Sequence, residues 1–169
     1  MIIAAFDIAT ATGWCVGDVT RPDLPQLGMC VMPNTHEDIG PYLDFWDRWL
    51  GMQLEHWQVD RVIFEAPYID AKRINATTTR KLMSLCSHLE LLCHRAGLPV
   101  EEVMANTARA SIGSGRFKKP DVMAAAKRCG LKPACYDESD AWAVWVCALK
   151  EHAPEMQPHW DGLLSRGLV

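Results

Sequence analysis

The sequence predicts a mixed α/β domain: a sheet begun by antiparallel strands, extended by parallel ones and flanked by helices. Three observations predict it. Short apolar segments separated by turn residues fill the first 32 positions. After them, segments of helical and strand period alternate. Two of the apolar strands end on a carboxylate, where the local pattern asks for a hydrophobe.

Taken in order, Ile2 to Ile8 is a continuous apolar run, the pattern of a strand covered on both faces. Thr10-Ala11-Thr12-Gly13 is a turn and Trp14 to Val19 the second strand of a hairpin. A loop through Pro22 and Pro25 leads to a third strand, Leu27 to Met32. Pro41 opens a helix in which Leu43, Trp46, Leu50, Leu54 and Trp57 recur at helical spacing, a stripe that reads as core. Val59 to Glu65 is the fourth strand. Ala76 to Ala96 is a long helix stopped by Gly97. Leu98 to Val103 is the fifth strand and Thr107 to Ile112 a short helix. Gly113 to Arg116 is a loop, Pro120 starts a helix running to Cys129, and Asp137 to Glu151 is a helix apolar nearly all round. Residues 1–152 form one domain in this reading, and 153–169, punctuated by Pro and Gly, a C-terminal tail.

A chain of 169 residues buries a core without staples, and its 49% apolar and 22% charged residues are ordinary for a globular protein. No run of some 18 uncharged apolar residues occurs, so a membrane partner is not expected. Seven cysteines without a CxxC pair suit buried thiols in a reducing cytoplasm better than a disulfide frame or a zinc knuckle. The net charge of −4 hides an asymmetry: between Arg61 and Gly130, twelve Lys or Arg stand against six Asp or Glu. A basic segment inside an acidic chain is compatible with a polyanionic partner.

The chemistry sits in the acids. A carboxylate at the end of a buried strand is costly unless paired or bound to metal. Asp7 and Glu65 both stand there, and Asp137 and Asp140 stand three apart at a helix start, on one face. Three separated elements thus deliver four acids, a donor set for Mg²⁺ or Mn²⁺. Two such ions about 3.5–4 Å apart stabilise the attacking and leaving oxygens of a phosphodiester displacement.

The ordered set Asp7, Glu65-Ala66-Pro67-Tyr68, Ile112-Gly113-Ser114-Gly115, Lys118-Lys119 and Asp137-Glu138-Ser139-Asp140-Ala141 resembles the RuvC Holliday-junction resolvases of the RNase H-like superfamily. The resemblance spans about residues 2 to 150. It implies an RNase H-like α/β fold with a five-stranded mixed sheet flanked by helices. It further implies a homodimer and Mg²⁺- or Mn²⁺-dependent nicking of branched DNA with two ions per site, a crossover junction endonuclease. Asp7, Glu65, Asp137 and Asp140 fall on the family's metal-binding acids, and Lys119 on a basic residue near the scissile phosphate. Tyr68 falls on an aromatic that contacts DNA near the junction. Lys72, Arg73, Arg80, Lys81, Arg116 and Lys118 are candidate phosphate contacts, as is Arg109, one place from a family lysine that is Ala108 here. Ala9 replaces a family glycine, and Thr10-Ala11-Thr12 a polar or glycine-rich turn. These departures suit a divergent, phage-type member acting on a wider range of branched DNA.

Three other readings compete. Actin-like ATPases and sugar kinases share the acid-tipped strand and hairpin, but need a second such domain and a second phosphate loop. An RNA-processing relative would use the same acids. A non-catalytic junction-binding module would tolerate loss of an acid, and all four are present.

Overall fold

The computed structural model describes residues 1–68 and 75–165. Lys72 and Arg73, two of the candidate phosphate contacts, lie outside the described residues. The five strands are β1 (Ile2–Asp7), β2 (Ala11–Asp18), β3 (Gln26–Val31), β4 (Arg61–Glu65) and β5 (Val100–Val103), ordered β3-β2-β1-β4-β5 in one sheet. The pairs β1–β2 and β2–β3 are antiparallel, while β1–β4 and β4–β5 are parallel. The expected hairpin start with parallel additions is therefore what forms. Because β1 and β4 run in the same direction, the acids that end them emerge at the same edge.

Strand period decides which face each residue serves. Ile3, Ala5, Cys15 and Ile63 belong to one core; Ala4, Phe6, Val16, Val62 and Phe64 belong to the core on the other side. Both faces of β1 are covered, and Ile3, Ala4, Ala5 and Phe6 are all fully buried. The second face carries α1 (Gly40–Trp57) and α2 (Ala76–Ala96). From α1, Tyr42, Trp46, Leu50 and Leu54 are buried; of the expected stripe, Leu43 and Trp57 are only partly buried, packed against the same core. Its crowded tryptophans explain one another: Trp46 stacks on Trp49 at 5.4 Å, and Trp57 tilts against Trp14 of β2 at 4.8 Å. Helix α2 begins where the Asn75 carboxamide accepts from the Thr77 and Thr78 amides, and it ends on Gly97 at φ +67°.

The first face carries α3 (Ala105–Ser111), α4 (Lys119–Arg128) and α5 (Tyr136–His152). Every residue of α5 from Glu138 to Leu149 is buried. Its Trp145 indole donates to the carbonyl of Ile3 at 3.1 Å, tying the helix to the middle of the sheet.

The stretch from residue 153, expected to be a tail, is ordered structure to residue 165. A 3-10 turn (Pro154–Met156) leads into α6 (Gln157–Leu164). The prolines open these turns instead of breaking them, since the first helical position needs no N–H. Trp160 and Leu163 are buried, and Trp160 meets Trp145 edge-on at 5.8 Å. Trp160→Ala should therefore cost about 3–5 kcal/mol in urea unfolding. A loss below about 1 kcal/mol would mean that α6 does not belong to the core.

Candidate active site

Asp7 and Glu65 end neighbouring parallel strands and, by the period of two, project toward α5. The register aligns Phe6 with Phe64, one step before both acids. Helix α5 begins at the same edge. Its first turn rests on β2 so closely that a Cβ on Gly13 would lie 2.0 Å from the Asp137 carbonyl oxygen. Gly13 is in turn the register partner of Asp7. This glycine lets the helix bearing Asp137 and Asp140 descend onto the strand bearing Asp7. The sequence reading did not single it out, because its reason lies on a segment 124 positions away.

The turn that departs from the family pattern is closed by other means. The buried Thr12 hydroxyl donates to the Ala9 carbonyl at 2.7 Å and accepts from the Ala9 amide at 3.3 Å. A side-chain bridge holds this loop without a glycine at position 9.

Lys119, first residue of α4, donates from Nζ to Asp137 Oδ1 at 3.1 Å and lies 3.3 Å from Asp140 Oδ2. Asp140 is 3% exposed, and its Oδ1 is buried without a hydrogen-bond partner. Glu138, inside the same acidic motif, turns away and accepts from the Ala134 amide.

Burial pushes the Asp7 carboxyl up to about 7, aided by the negative charges of Glu65 and Asp140. Burial likewise raises Glu65, with Asp140 adding to it, and raises Asp140 against the opposing pull of Lys119. Lys119 itself is drawn down by burial, yet its bond to Asp137 and the charges of Asp140 and Asp7 leave it above the ordinary lysine value. Three acids thus resist ionisation together, chiefly because they are buried. The site's donors are carboxylate oxygens, those of a hard divalent cation, and Asp140 Oδ1 is a buried acceptor that nothing in the protein satisfies. The residues fit Mg²⁺ or Mn²⁺.

This has a consequence for stability. Asp7 has an ordinary unfolded value near 4 and a folded value of about 7, so the folded chain retains a proton that the unfolded chain releases. That contribution is complete below pH ~4 and is lost as pH rises through about 7. Without divalent ions, Asp7→Asn, which cannot ionise, should melt above wild type at pH 8, with the gap closing by pH 4. Mg²⁺ or Mn²⁺ should raise the wild-type Tm and leave that of Asp7→Asn nearly unmoved. Melting curves at both pH values, with and without the ion, check both points.

The remaining candidates divide. Tyr68 is 81% exposed three residues beyond Glu65, and Arg80, Arg116 and Lys118 are exposed. Lys81 is engaged within the protein, donating to Thr35 Oγ1 at 3.2 Å with its ammonium 4.5 Å from the Tyr42 ring centroid. Ala108 is 1% exposed in the core, while the adjacent Arg109 lies where its charge favours the ionised forms of Glu65 and Asp140.

Among the described residues, only Glu101, Glu151 and His152 bring three metal-type donor atoms within 4.8 Å of one another. They lie at the far end of α5, about 22 Å from Asp137 along a helix rising 1.5 Å per residue. There Glu101 is already paired with Arg61 and bonded to His152, so that set reads as a satisfied ion-pair network. The acids at the near end stand further apart, with Lys119 between two of them.

No protein-family model matches the sequence, and no curated protein matches it. Solved structures do. The Thermus thermophilus RuvC structure in complex with a Holliday junction substrate superposes with a TM-score of 0.69 at 15% identity, covering 89% of this chain and 94% of that one. A second Thermus thermophilus RuvC structure gives 0.68 at 17% identity, covering 91% and 97%. The yeast mitochondrial Holliday junction resolvase Ydc2 gives 0.58 at 12% identity, covering 93% and 83%. The fold is of the RuvC type, an RNase H-like five-stranded mixed sheet flanked by helices.

Proposed function

We propose that this chain is a divalent-metal-dependent, structure-selective DNA endonuclease that resolves four-way junctions and related branched DNA as a homodimer. One observation carries the reading: four carboxylates from β1, β4 and α5 meet at one sheet edge, three of them held up by burial, in a fold shared with junction resolvases. Asp7, Glu65, Asp137 and Asp140 would hold the ions, which when bound supply Lewis-acid polarisation of the phosphate and a more acidic water. The water oxygen bonds to phosphorus in line, the P–O3′ bond breaks, and the proton passes to O3′, leaving 5′-phosphate and 3′-hydroxyl ends. Lys119 balances charge developing on the phosphoryl oxygens.

Exposed Arg80, Arg116 and Lys118 would position the DNA backbone without reading sequence. Support for a dimer comes from α2, whose outer face exposes Met83 and Leu91 along an i, i+4 stripe through Ser87. No described helix is long and apolar enough to cross a membrane. Tyr68 would stack on a base at the branch point, so Tyr68→Ala should slow junction cutting by about tenfold, the scale of one lost base–aromatic stack. An effect no larger than that of Arg116→Ala would leave Tyr68 without a special role.

The deciding experiment is a nicking assay with Mg²⁺ on a labelled four-way junction, beside linear duplex, a flap and an RNA–DNA hybrid. Paired symmetric nicks confined to the junction are the expected result. Cutting of the hybrid alone would move the reading to RNA processing. Binding without cutting in either Mg²⁺ or Mn²⁺ would leave a junction-binding module.

A further inference from the structure

Resting on that endonuclease reading, we propose that Tyr136 and Met29 form a second platform for an unpaired nucleobase, across the acids from Tyr68. The placement follows from the sheet. Across neighbouring strands Asp7 pairs with Gly13 and Gly13 with Met29, so the three form one row. Directly opposed residues share a face. Met29 therefore lies on the face of Asp7, two strand spacings or roughly 10 Å away. Between them the first turn of α5 rests on Gly13. Cys135, just before that turn, brings its Sγ to 3.8 Å from Met29 Sδ, and Tyr136 stands between Cys135 and Asp137. The line along the sheet edge thus runs from Tyr68, past Glu65, Asp7 and Asp137, to Tyr136 and Met29.

Both residues are open to solvent, Tyr136 at 46% and Met29 at 42%. The Tyr136 side chain has no ring contact and no hydrogen bond among the described residues. Single exposed apolar residues are ordinary. These are grouped: of the ten large ones exposed among the described residues, Met29, Val31, Tyr68, Met104 and Tyr136 stand at the acid edge. Strand β3 is moreover an edge strand, where charged side chains commonly discourage pairing, and Gln26–Val31 carries none.

The occupant is set by what adjoins the platform. Acids holding cations draw in the phosphates of a strand, and exposed Arg116 and Lys118 are placed to grip its backbone. What remains for an uncharged platform beside Asp137 is the base, which stacks on an aromatic whatever its identity. Three strand spacings separate β4, with Glu65, from β3, with Met29: roughly 14 Å, or about four base steps. A strand whose bases are held at both ends of that span is unstacked on both sides of the scissile phosphate. Duplex DNA meets this demand only by breaking pairs, and a branch point meets it at lower cost. The two platforms thus select branched DNA.

The test is a binding cycle on Asp7→Asn protein, which should hold a four-way junction without cutting it. The scissile phosphate is mapped with wild type. Abasic nucleotides are then placed singly near it on either side, and Kd is read by gel shift. One position on each side should weaken binding about tenfold, the scale of one lost stack. Adding Tyr136→Ala should weaken binding of the intact junction about tenfold, with no further loss at one of those positions. Adding Tyr68→Ala instead should cancel the position on the other side. Tyr136→Phe should restore binding and Tyr136→Leu should not; restoration by leucine would reduce the residue to packing and overturn the proposal. Cancellation at no position, or at the one that Tyr68 cancels, would overturn it too. An unchanged Kd with self-association lost in gel filtration would assign the patch to a second copy of the chain, with the same consequence. If wild type cuts the junction and Tyr136→Ala binds it within about twofold of its parent, the proposal falls alone. If wild type cuts no nucleic acid, the endonuclease reading falls with it.

Discussion

Asp7→Asn should reduce junction cutting by about 10³-fold or more while sparing, or strengthening, junction binding. An acid on two-metal chemistry supplies several kcal/mol of transition-state stabilisation, and each 1.4 kcal/mol is tenfold in rate. Asp7 is placed for the largest share. It projects toward α5 beside Glu65, and it feels the charges of Glu65, Asp140, Asp137 and Lys119 together. Binding should survive because the substitution removes negative charge near phosphate and keeps the side-chain shape. The two results must be read together, by single-turnover cutting and by a gel-shift titration on one preparation. Cutting at the wild-type rate would remove Asp7 from the chemistry, and with it the reading of all four acids.

The second large effect is expected at a residue with no functional group. In Gly13→Ala the new Cβ would lie 2.0 Å from the carbonyl oxygen and 2.3 Å from the carbonyl carbon of Asp137. Both atoms are backbone, so no rotamer change relieves the contact, and the first turn of α5 has to lift from β2. Overpacking of this kind costs about 3 kcal/mol or more. In a chain of this size that lowers Tm by about 6–12 °C. The lifted turn carries Asp137 and Asp140 with it, so molecules that stay folded should also cut poorly. Gly51→Ala is the control: a Cβ there meets nothing within 4 Å, and alanine in α1 should raise stability by about 0.5–1 kcal/mol. Melts of the three proteins suffice, and a Gly13→Ala Tm within about 2 °C of wild type would contradict the close approach.

Much of this architecture was legible in the residues because local pattern and tertiary role agree. The apolar run of β1 reads as covered on both faces, and both faces are covered. The boundaries of α2 are set by residues at its own ends, Asn75 and Gly97, and the all-round apolar character of α5 is that of a helix enclosed on every side. Asp7, Glu65, Asp137 and Asp140 were legible as acids at the ends of buried elements, and their meeting follows from strand direction and period. What could not be read depends on contacts distant in sequence. The need for glycine at position 13 is set by the backbone of residue 137. The choice between positions 108 and 109 on α3 is set by how that helix rolls against α5. Lys81 carries the charge expected of a phosphate contact, but Tyr42 and Thr35 of a neighbouring segment hold it. The prolines of α6 were read as breaks because only the packing of Trp160 on Trp145 shows that they begin turns.

The acids Asp137 and Asp140 ride on the helix that is enclosed from Glu138 to Leu149. Parts of a protein that open separately are those with few buried contacts, and α5 is the opposite case, touching β1, β2, β3, β4, α3 and α4. Its amides from Asp140 to Leu149 should therefore exchange with deuterium only when the entire chain unfolds, the slowest class in the molecule. The acid-bearing end of the helix then inherits the lifetime of the whole fold. Heat or denaturant would not yield a population with an intact sheet and a frayed centre; activity and tertiary structure would vanish in a single transition.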